Sequence, residues 1–292
     1  MEKNLQFIEI YCTVCQEYCN ITARESQRLS NNFCPKFTDE EAIAIYLWGI
    51  ANQKYEVKAI YDFINDFYEG WFPDLPAYQN FNRRICNLSD VFRQIAGRLM
   101  CRKMNGKEID WEEIIHLLDS MPIIVAKEKR SGSARTAWEI CDKGYCASKK
   151  MYYYGVKLHS LNRRQPGTLP RPSISWVTPA STSDISAARD MLYDVYNIDI
   201  FADKAYCDAK WLANLADINT GLTTPIKLKK GKGDFDPDEK LYNSLVSSIR
   251  QPIESFFSWL QEKTHIQSAS KVRSADGLLS FIFARLASIF LF

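Results

Sequence analysis

Residues 197–206 constrain this chain more than any other stretch. Positions 198–202 are mostly apolar or β-favouring and contain no proline, which predicts a short buried strand. The strand ends at Asp203, and residues 207–216 follow with apolar side chains at helical spacing. A strand that ends in an acid and leads into a helix is typical of an α/β sheet, which binds ligands at the carboxyl ends of its strands. The alternative is that Asp203 only caps the following helix.

The composition indicates a globular chain of one large or two ordinary domains, with 292 residues, 46% hydrophobic and 25% charged. The net charge is only +2, so any affinity for nucleic acid must come from local basic clusters. Nine irregularly spaced cysteines and a start without a signal-peptide pattern predict reduced thiols in the cytoplasm. The longest apolar run, residues 278–292, contains Arg285 and is too short to span a bilayer, so we expect no membrane partner.

The first domain, residues 1–104, lacks strand alternation and is predicted to be helical. A capping box at residues 38–41 marks one helix start. Three short helices with arginines on the third are consistent with a helix-turn-helix reader of DNA, with Arg83 and Arg84 as candidate contacts. A helical cap on the second domain fits this stretch equally well. The predicted helices are residues 42–50, 57–68 and 78–99, the last as one or two helices.

Cys12, Cys15 and Cys19 form a cluster near the start, with Cys34 further along. The Cys-x-x-Cys step makes a zinc site conceivable, but no second pair or nearby histidine completes it. The first three also share one helical face, where cysteine behaves as a small hydrophobic residue. The sequence leaves zinc binding open.

The second domain, residues 105–292, shows a different pattern, with strands predicted first and helices between the later strands. Pro252, inside the last helix, predicts a kink or a restart there. Three strands, then helix, strand, helix, strand and helix, is the order of a ribonuclease H-like domain, an α/β fold with a mixed sheet. The predicted strands are 117–125, 156–159, 173–177, 198–202 and 223–227, the helices are 182–192, 207–216 and 242–261, and a charged loop covers 229–240.

Three acids occupy special positions in this pattern: Asp119 in the first strand, Asp203 at the end of the fourth, and Glu254 on the last helix. In a ribonuclease H-like sheet the first and fourth strands are neighbours, and the last helix crosses their ends. Converging carboxylates repel unless a cation neutralises them, and oxygen ligands suit Mg²⁺ or Mn²⁺. Two such ions about 4 Å apart activate an attacking oxygen and stabilise a leaving one at phosphorus. We therefore predict a two-ion site.

Several motifs resemble those of DDE transposases of bacterial insertion sequences. They cover the chain from about residue 38 to its end, in the expected order and with suitable gaps. The resemblance implies that Asp119, Asp203 and Glu254 form the catalytic, metal-binding triad. The matching motifs are residues 119–122, 144–159, 202–206 and 253–258, while 72–78 and 81–84 resemble the insertion-sequence 982 type in particular.

The wider family also has a Tyr–Arg–Glu–Lys pattern around its glutamate. Arg250, one helical turn before Glu254, matches the arginine, whereas Ser247 replaces the tyrosine and Lys263 is displaced. Arg250 is therefore a candidate catalytic residue that orients a phosphate or holds the carboxylate. An ordinary surface pair between Arg250 and Glu254 is the alternative.

Several basic clusters are candidates for contacts with the DNA backbone. One such cluster alone usually marks a solvated loop, but several on one nuclease-like domain favour phosphate contacts. His159, on an alternating strand, is predicted to be packed rather than to bind a metal. The candidate DNA contacts of the second domain are Lys149, Lys150, Lys227, Lys229, Lys230 and Lys232.

The resemblance implies a transposase that cleaves double-stranded DNA at the terminal inverted repeats of its element and transfers the strand into target DNA. We expect it to act as a homodimer on DNA, in the bacterial cytoplasm in association with the nucleoid. Two alternatives remain: a ribonuclease H-like nuclease without strand transfer, and a catalytically silent DNA-binding repressor derived from a transposase.

Overall fold

The computed structural model of the protein describes residues 2–21, 35–101, 115–228 and 233–291. The chain divides into two compact units. The first contains Met1–Arg102, Arg135–Glu139 and Leu260–Phe292, and the second contains Lys103–Ala134 and Ile140–Trp259. The predicted domain boundary between 104 and 105 lies outside the described residues. No helix in the described ranges has the length and apolar character to cross a membrane.

The described parts of the chain contain nine α-helices, six strands and two short 3-10 helices, Glu128–Gly132 and Lys204–Tyr206. The helices are α1 (Glu2–Tyr18), α2 (Asp39–Ala51), α3 (Val57–Phe67), α4 (Tyr78–Asn87), α5 (Ser89–Cys101), α6 (Asp184–Met191), α7 (Ala209–Asp217), α8 (Pro237–Thr264) and α9 (Ala275–Ser288). The strands are β1 (Ile115–Lys127), β2 (Asp142–Cys146), β3 (Met151–Arg163), β4 (Arg171–Pro179), β5 (Asp199–Ala202) and β6 (Gly221–Thr223).

The first unit is built around α2, in which every residue from 42 to 50 is buried. The predicted capping box is confirmed: Thr38 and Glu41 each accept the other's backbone N–H. Trp48 stacks on Phe7 of α1, with ring centroids 4.8 Å apart. The prediction of an all-helical N-terminal region is confirmed for its described residues. The terminal helix α9, which we had assigned to the catalytic domain, packs with α4 and α5 in this first unit.

Arg285 of α9 is a buried charge in the first unit, only 1% exposed. Its guanidinium donates to the carbonyls of Thr264 (2.9 Å), Tyr55 (2.8 Å) and Phe281 (3.2 Å), and to the Tyr46 hydroxyl (3.1 Å). These acceptors are neutral, and burial lowers the pKa of Arg285. The charge inside the apolar terminal run therefore ties α9 to α2, to the segment between α2 and α3, and to the end of α8.

The second unit contains one mixed sheet with β1 near its centre. β1 pairs antiparallel with β3 and parallel with β5, and β5 pairs parallel with β6. β2 and β4 both pair antiparallel with β3, each along a different part of it. The predicted adjacency of the first strand and the strand before Asp203 is confirmed, because Leu118 pairs with Ala202.

Two strands differ from the prediction. β2 was missed, because its five residues are largely polar and include Gly144, which gives no β signal. Gly144 lies against the Ala180 carbonyl, so close that a Cβ would collide with it, and only glycine fits there. β6 was predicted at 223–227 but is Gly221–Thr223, and the residues after Thr223 leave the sheet.

The last helix also differs from the prediction. α8 begins at Pro237, inside the segment predicted as a loop, because proline suits a first helical turn. It continues through Pro252 without a restart. Proline removes one hydrogen bond of the helix, and tertiary packing offsets this loss. Ile253, Phe256 and Leu260, which follow it on α8, are all buried.

Candidate active site

Asp119 and Asp203 lie side by side where β5 ends beside the neighbouring strand β1. Asp119 follows Leu118, and Asp203 follows Ala202. Leu118 and Ala202 are partners in the parallel pairing of β1 with β5. Asp203 accepts a hydrogen bond from the Lys204 backbone N–H (2.7 Å) at the head of a short turn. The alternative that Asp203 caps α7 is wrong, because Asp208 fills that position and accepts from the Trp211 N–H (2.8 Å).

Arg250 connects two of the three predicted acids. Its guanidinium donates to Asp119 Oδ2 at 3.1 Å and to Glu254 Oε1, one turn further along α8. The Arg250 side chain is only 17% exposed. The pair with Glu254 that the alternative predicted is present, but Arg250 also reaches across to β1, and a catalytic role for Arg250 stays a prediction. The structure thus brings Asp119, Arg250 and Glu254 together, with Asp203 beside Asp119.

The carboxyl group of Asp119 has an unusual acidity. Its pKa is raised to about 6, first by burial and then by the nearby charges of Asp203 and Asp184. The Ser120 backbone N–H and the Arg250 guanidinium act in the opposite direction. The ionised form of Asp119 therefore destabilises the folded protein, and a bound cation would relieve this destabilisation.

Asp184, at the start of α6, is a fourth acid that sequence reasoning missed. Its Oδ1 accepts from the Ser120 hydroxyl (3.0 Å) and from Lys157 Nζ (3.1 Å), and Lys157 also donates to the Thr182 carbonyl (2.9 Å). Its only sequence signal was its place among helix-capping residues. Ser120 follows Asp119 directly, so this network fixes the strand segment that carries the acid.

Tyr206 lies close to the same acids and is fully buried. Burial raises its pKa well above the ordinary value, and the charges of Asp184, Asp119 and Asp203 act in the same direction. Tyr206 therefore stays protonated at all physiological pH values. Its ring packs with Ala202 and Leu118 in the core beneath this end of the strands.

We expect Asp119→Asn to raise the free energy of unfolding at pH 7.5 without divalent cations, by about 1–3 kcal/mol. The pKa of Asp119 is about 6 in the folded protein and 3.8 ordinarily, so the unfolded chain loses this proton at a lower pH than the folded protein does. The destabilisation of the wild type by ionised Asp119 is absent below pH 3.8, grows between pH 3.8 and pH 6, and is complete above pH 6. Urea unfolding at pH 4 and pH 7.5 measures the difference.

Asp217→Asn, at the exposed end of α7, is the matched control and should change stability little at either pH. A stabilisation by Asp119→Asn that is equal at both pH values would contradict the assignment of the effect to this ionisation.

The two arginines predicted to contact DNA in the first unit differ in their surroundings. Arg83 is exposed on α4, and its Nη2 donates to Asn80 (3.2 Å). Arg84 is mostly buried, pairs with Asp39 (3.5 Å) and donates to the Thr38 carbonyl (3.1 Å). Arg84 thus fixes the start of α2, and a DNA contact by either residue stays a prediction.

The basic residues predicted to contact DNA in the second unit are exposed where the structure describes them. Lys149 and Lys150 occupy the turn between β2 and β3, and Lys227 follows β6. Their contacts with DNA stay predictions. Lys229, Lys230 and Lys232 lie outside the described residues.

Metal-binding candidates were also placed by the structure. His159 is fully buried, with its Nε2 2.9 Å from Thr178 Oγ1, which confirms that it is packed. Within the described ranges, no three acidic, histidine or cysteine side chains converge closely enough to hold an ion. Of the early cysteines, Cys34 lies outside the described residues, so zinc binding by that cluster stays open.

The chain belongs to a known enzyme family. The family described as "Transposase DDE domain" matches residues 110–291, more than half of the chain. The protein is therefore a DDE transposase by family, a class of enzymes that act on DNA. The match confirms the resemblance at this level, while the 982 type stays a prediction. Comparisons with curated proteins and with solved structures find no match.

Proposed function

We propose that this protein is an insertion-sequence transposase of the 982 type. It would cleave DNA at the ends of its element and join the freed 3′-hydroxyl to target DNA. The observation that supports the proposal is that three acids from three elements are connected through Arg250 and through the pairing of β1 with β5. Arg250 links Asp119 to Glu254, and Asp203 follows the residue paired with Leu118.

The sheet topology supports a ribonuclease H-like catalytic domain. The path β4, β3, β1, β5, β6 has two antiparallel pairings followed by two parallel ones. This is the strand order we expect for that fold, with β2 as an addition beside the start of β3. The helix that carries Glu254 returns to β1 through Arg250, as the proposed fold requires.

We propose Mg²⁺ or Mn²⁺, as two ions, as the cofactor, with Asp119, Asp203 and Glu254 as ligands. The donor set fits, because all three offer hard carboxylate oxygens. A positive charge already lies between Asp119 and Glu254, namely the Arg250 guanidinium. That guanidinium must turn away from at least one carboxylate before an ion can share both.

When bound, the ions would neutralise charge on the attacking and leaving oxygens of an in-line displacement at phosphorus. The chain's own residues would position the reactants. Asp119 is held by the Ser120 N–H, and Ser120 in turn is held by Asp184. Arg250, once released from a carboxylate, can donate two parallel hydrogen bonds to a phosphate of the bound DNA.

The proposed partner is double-stranded DNA, as terminal inverted repeats and as target. The helical first unit would hold the repeats, and the exposed lysines of the second unit would contact the backbone. Because two element ends must be processed together, we propose a homodimer on DNA. A cytoplasmic, nucleoid-associated location is part of the same proposal.

Incubation with its own element ends tests this function. With Mg²⁺, we expect cleavage at the element boundary, and precut ends plus a target plasmid should give a joined product. Ends with a scrambled terminal sequence, and reactions with EDTA, serve as controls and should give neither product.

Two other outcomes would replace the proposal. Cleavage without any joined product from precut ends would indicate a nuclease of the same fold. Sequence-specific binding without cleavage or joining would indicate a repressor derived from a transposase.

A further inference from the structure

The β2–β3 hairpin of the second unit presents two tyrosines to solvent. Tyr145 is 51% exposed and Tyr152 is 56% exposed. They are register partners across the two strands, with ring centroids 5.0 Å apart and planes at 58°. Neighbouring Tyr153 instead faces the core together with Cys146. The hairpin therefore carries a paired aromatic surface that the core does not use.

A lysine lies against this surface. Lys143 Nζ is 4.9 Å from the centre of the Tyr152 ring, within the range of a cation–π contact. Lys149 and Lys150 occupy the turn at the end of the same hairpin, and both are exposed. Exposed aromatic rings thus lie on a hairpin that also carries three lysines, which suits an anionic ligand with planar rings.

An open cavity of about 670 Å³ runs from the tyrosine pair toward the acidic edge. Its wall includes both tyrosines, Asp184 and Ala205. Asp184 holds Ser120 beside Asp119, and Ala205 is two residues beyond Asp203. Tyr152 lies eight positions along β3 from Ser160, the register partner of Asp119. In an extended strand this corresponds to about 26 Å. That length corresponds to several nucleotides of a strand leading away from the site.

These features select among nucleic-acid forms. In a duplex, the base faces are covered by their neighbours, so exposed rings gain little from it. An unpaired base offers both faces, and stacking on aromatic side chains beside a basic groove is the usual way of holding single strands. We propose that Tyr145 and Tyr152, with Lys143, form a stacking platform for an unpaired base of single-stranded DNA several nucleotides from the cleavage site. This inference rests on the proposed function.

The test uses the full chain and two fluorescent DNA probes. One is a blunt duplex, and the other is the same duplex with a four-nucleotide overhang that contains 2-aminopurine. We expect Tyr145→Ala and Tyr152→Ala each to weaken overhang binding about 5- to 50-fold. Blunt-duplex affinity and the salt dependence of binding should change less than twofold. Quenching of 2-aminopurine should occur with the wild type and be lost in both variants.

Two kinds of control variant separate stacking from folding. Tyr145→Phe and Tyr152→Phe keep the rings and should retain affinity and quenching. Tyr193→Ala removes an exposed tyrosine elsewhere in the unit and should have no effect. Each alanine variant should melt within a few degrees of the wild type.

If the alanine variants lose affinity equally for blunt and overhang probes, or lose affinity for neither, the proposed platform is wrong. Joining assays distinguish this result from a failure of the proposed function. A wild type that quenches the overhang probe but joins no ends would reject the function and keep the platform. A wild type that joins ends while the alanine variants bind overhangs normally would reject the platform alone.

Discussion

Asp203→Asn is expected to reduce cleavage of element ends at least about a thousandfold, while DNA affinity stays within about twofold. The change removes one carboxylate charge from the edge where Asp119 lies, at almost constant side-chain volume. Under the proposed mechanism the edge then holds divalent ions too weakly to neutralise the phosphate. Asp119→Asn and Glu254→Gln should have the same effect. Gel assays of strand cleavage with Mg²⁺, and fluorescence anisotropy for binding, measure the two quantities.

The chain offers matched controls for these variants. Asp199→Asn lies at the opposite end of the same strand as Asp203, and Glu262→Gln lies two turns beyond Glu254 on α8. Both should cleave at nearly the wild-type rate. If one of the three proposed site variants cleaves as fast as the wild type, that residue is removed from the site.

Arg285→Ala is expected to lower the free energy of unfolding by about 3–5 kcal/mol. The truncation leaves a cavity and deprives the carbonyls of Thr264 and Tyr55 and the hydroxyl of Tyr46 of their donor. Arg285→Lys keeps the charge but not the planar fork, so we expect an intermediate loss. Urea unfolding followed by circular dichroism measures all three proteins.

Arg273→Ala provides the control for Arg285, because Arg273 is an exposed arginine of the same unit that donates to two local carbonyls. We expect it to cost less than about 1 kcal/mol. A loss of that small size for Arg285→Ala would show that the buried charge is not needed for stability.

Patterns that depend on local chemistry could be predicted from the sequence. The apolar segment before Asp203, the acid-containing run around Asp119 and the capping box at Thr38 each gave the right type of element. The adjacency of β1 and β5 followed from the predicted order of elements. These signals suffice to predict the type of element because strand and helix periodicity each extend over several consecutive residues.

Features that depend on distant partners could not be predicted. Asp184 has no periodic signal, and its role follows from the fold that places it beside Ser120 and Lys157. The contact between Arg250 and Asp119 joins segments far apart in the chain. Pro252 shows the same limit, since burial of Ile253 and Phe256 beyond it overrides a local rule that is usually reliable.

The guanidinium between Asp119 and Glu254 has a thermodynamic consequence for the free protein. Under the proposed mechanism, an entering divalent ion would displace a resident charge of the same sign, so ion affinity would be lowered before substrate arrives. A DNA phosphate that attracts Arg250 would remove this competitor. Metal and DNA would then each strengthen the binding of the other by the same factor, since such coupling is reciprocal. Under the proposed function, an enzyme built this way would stay inert in magnesium until it binds DNA.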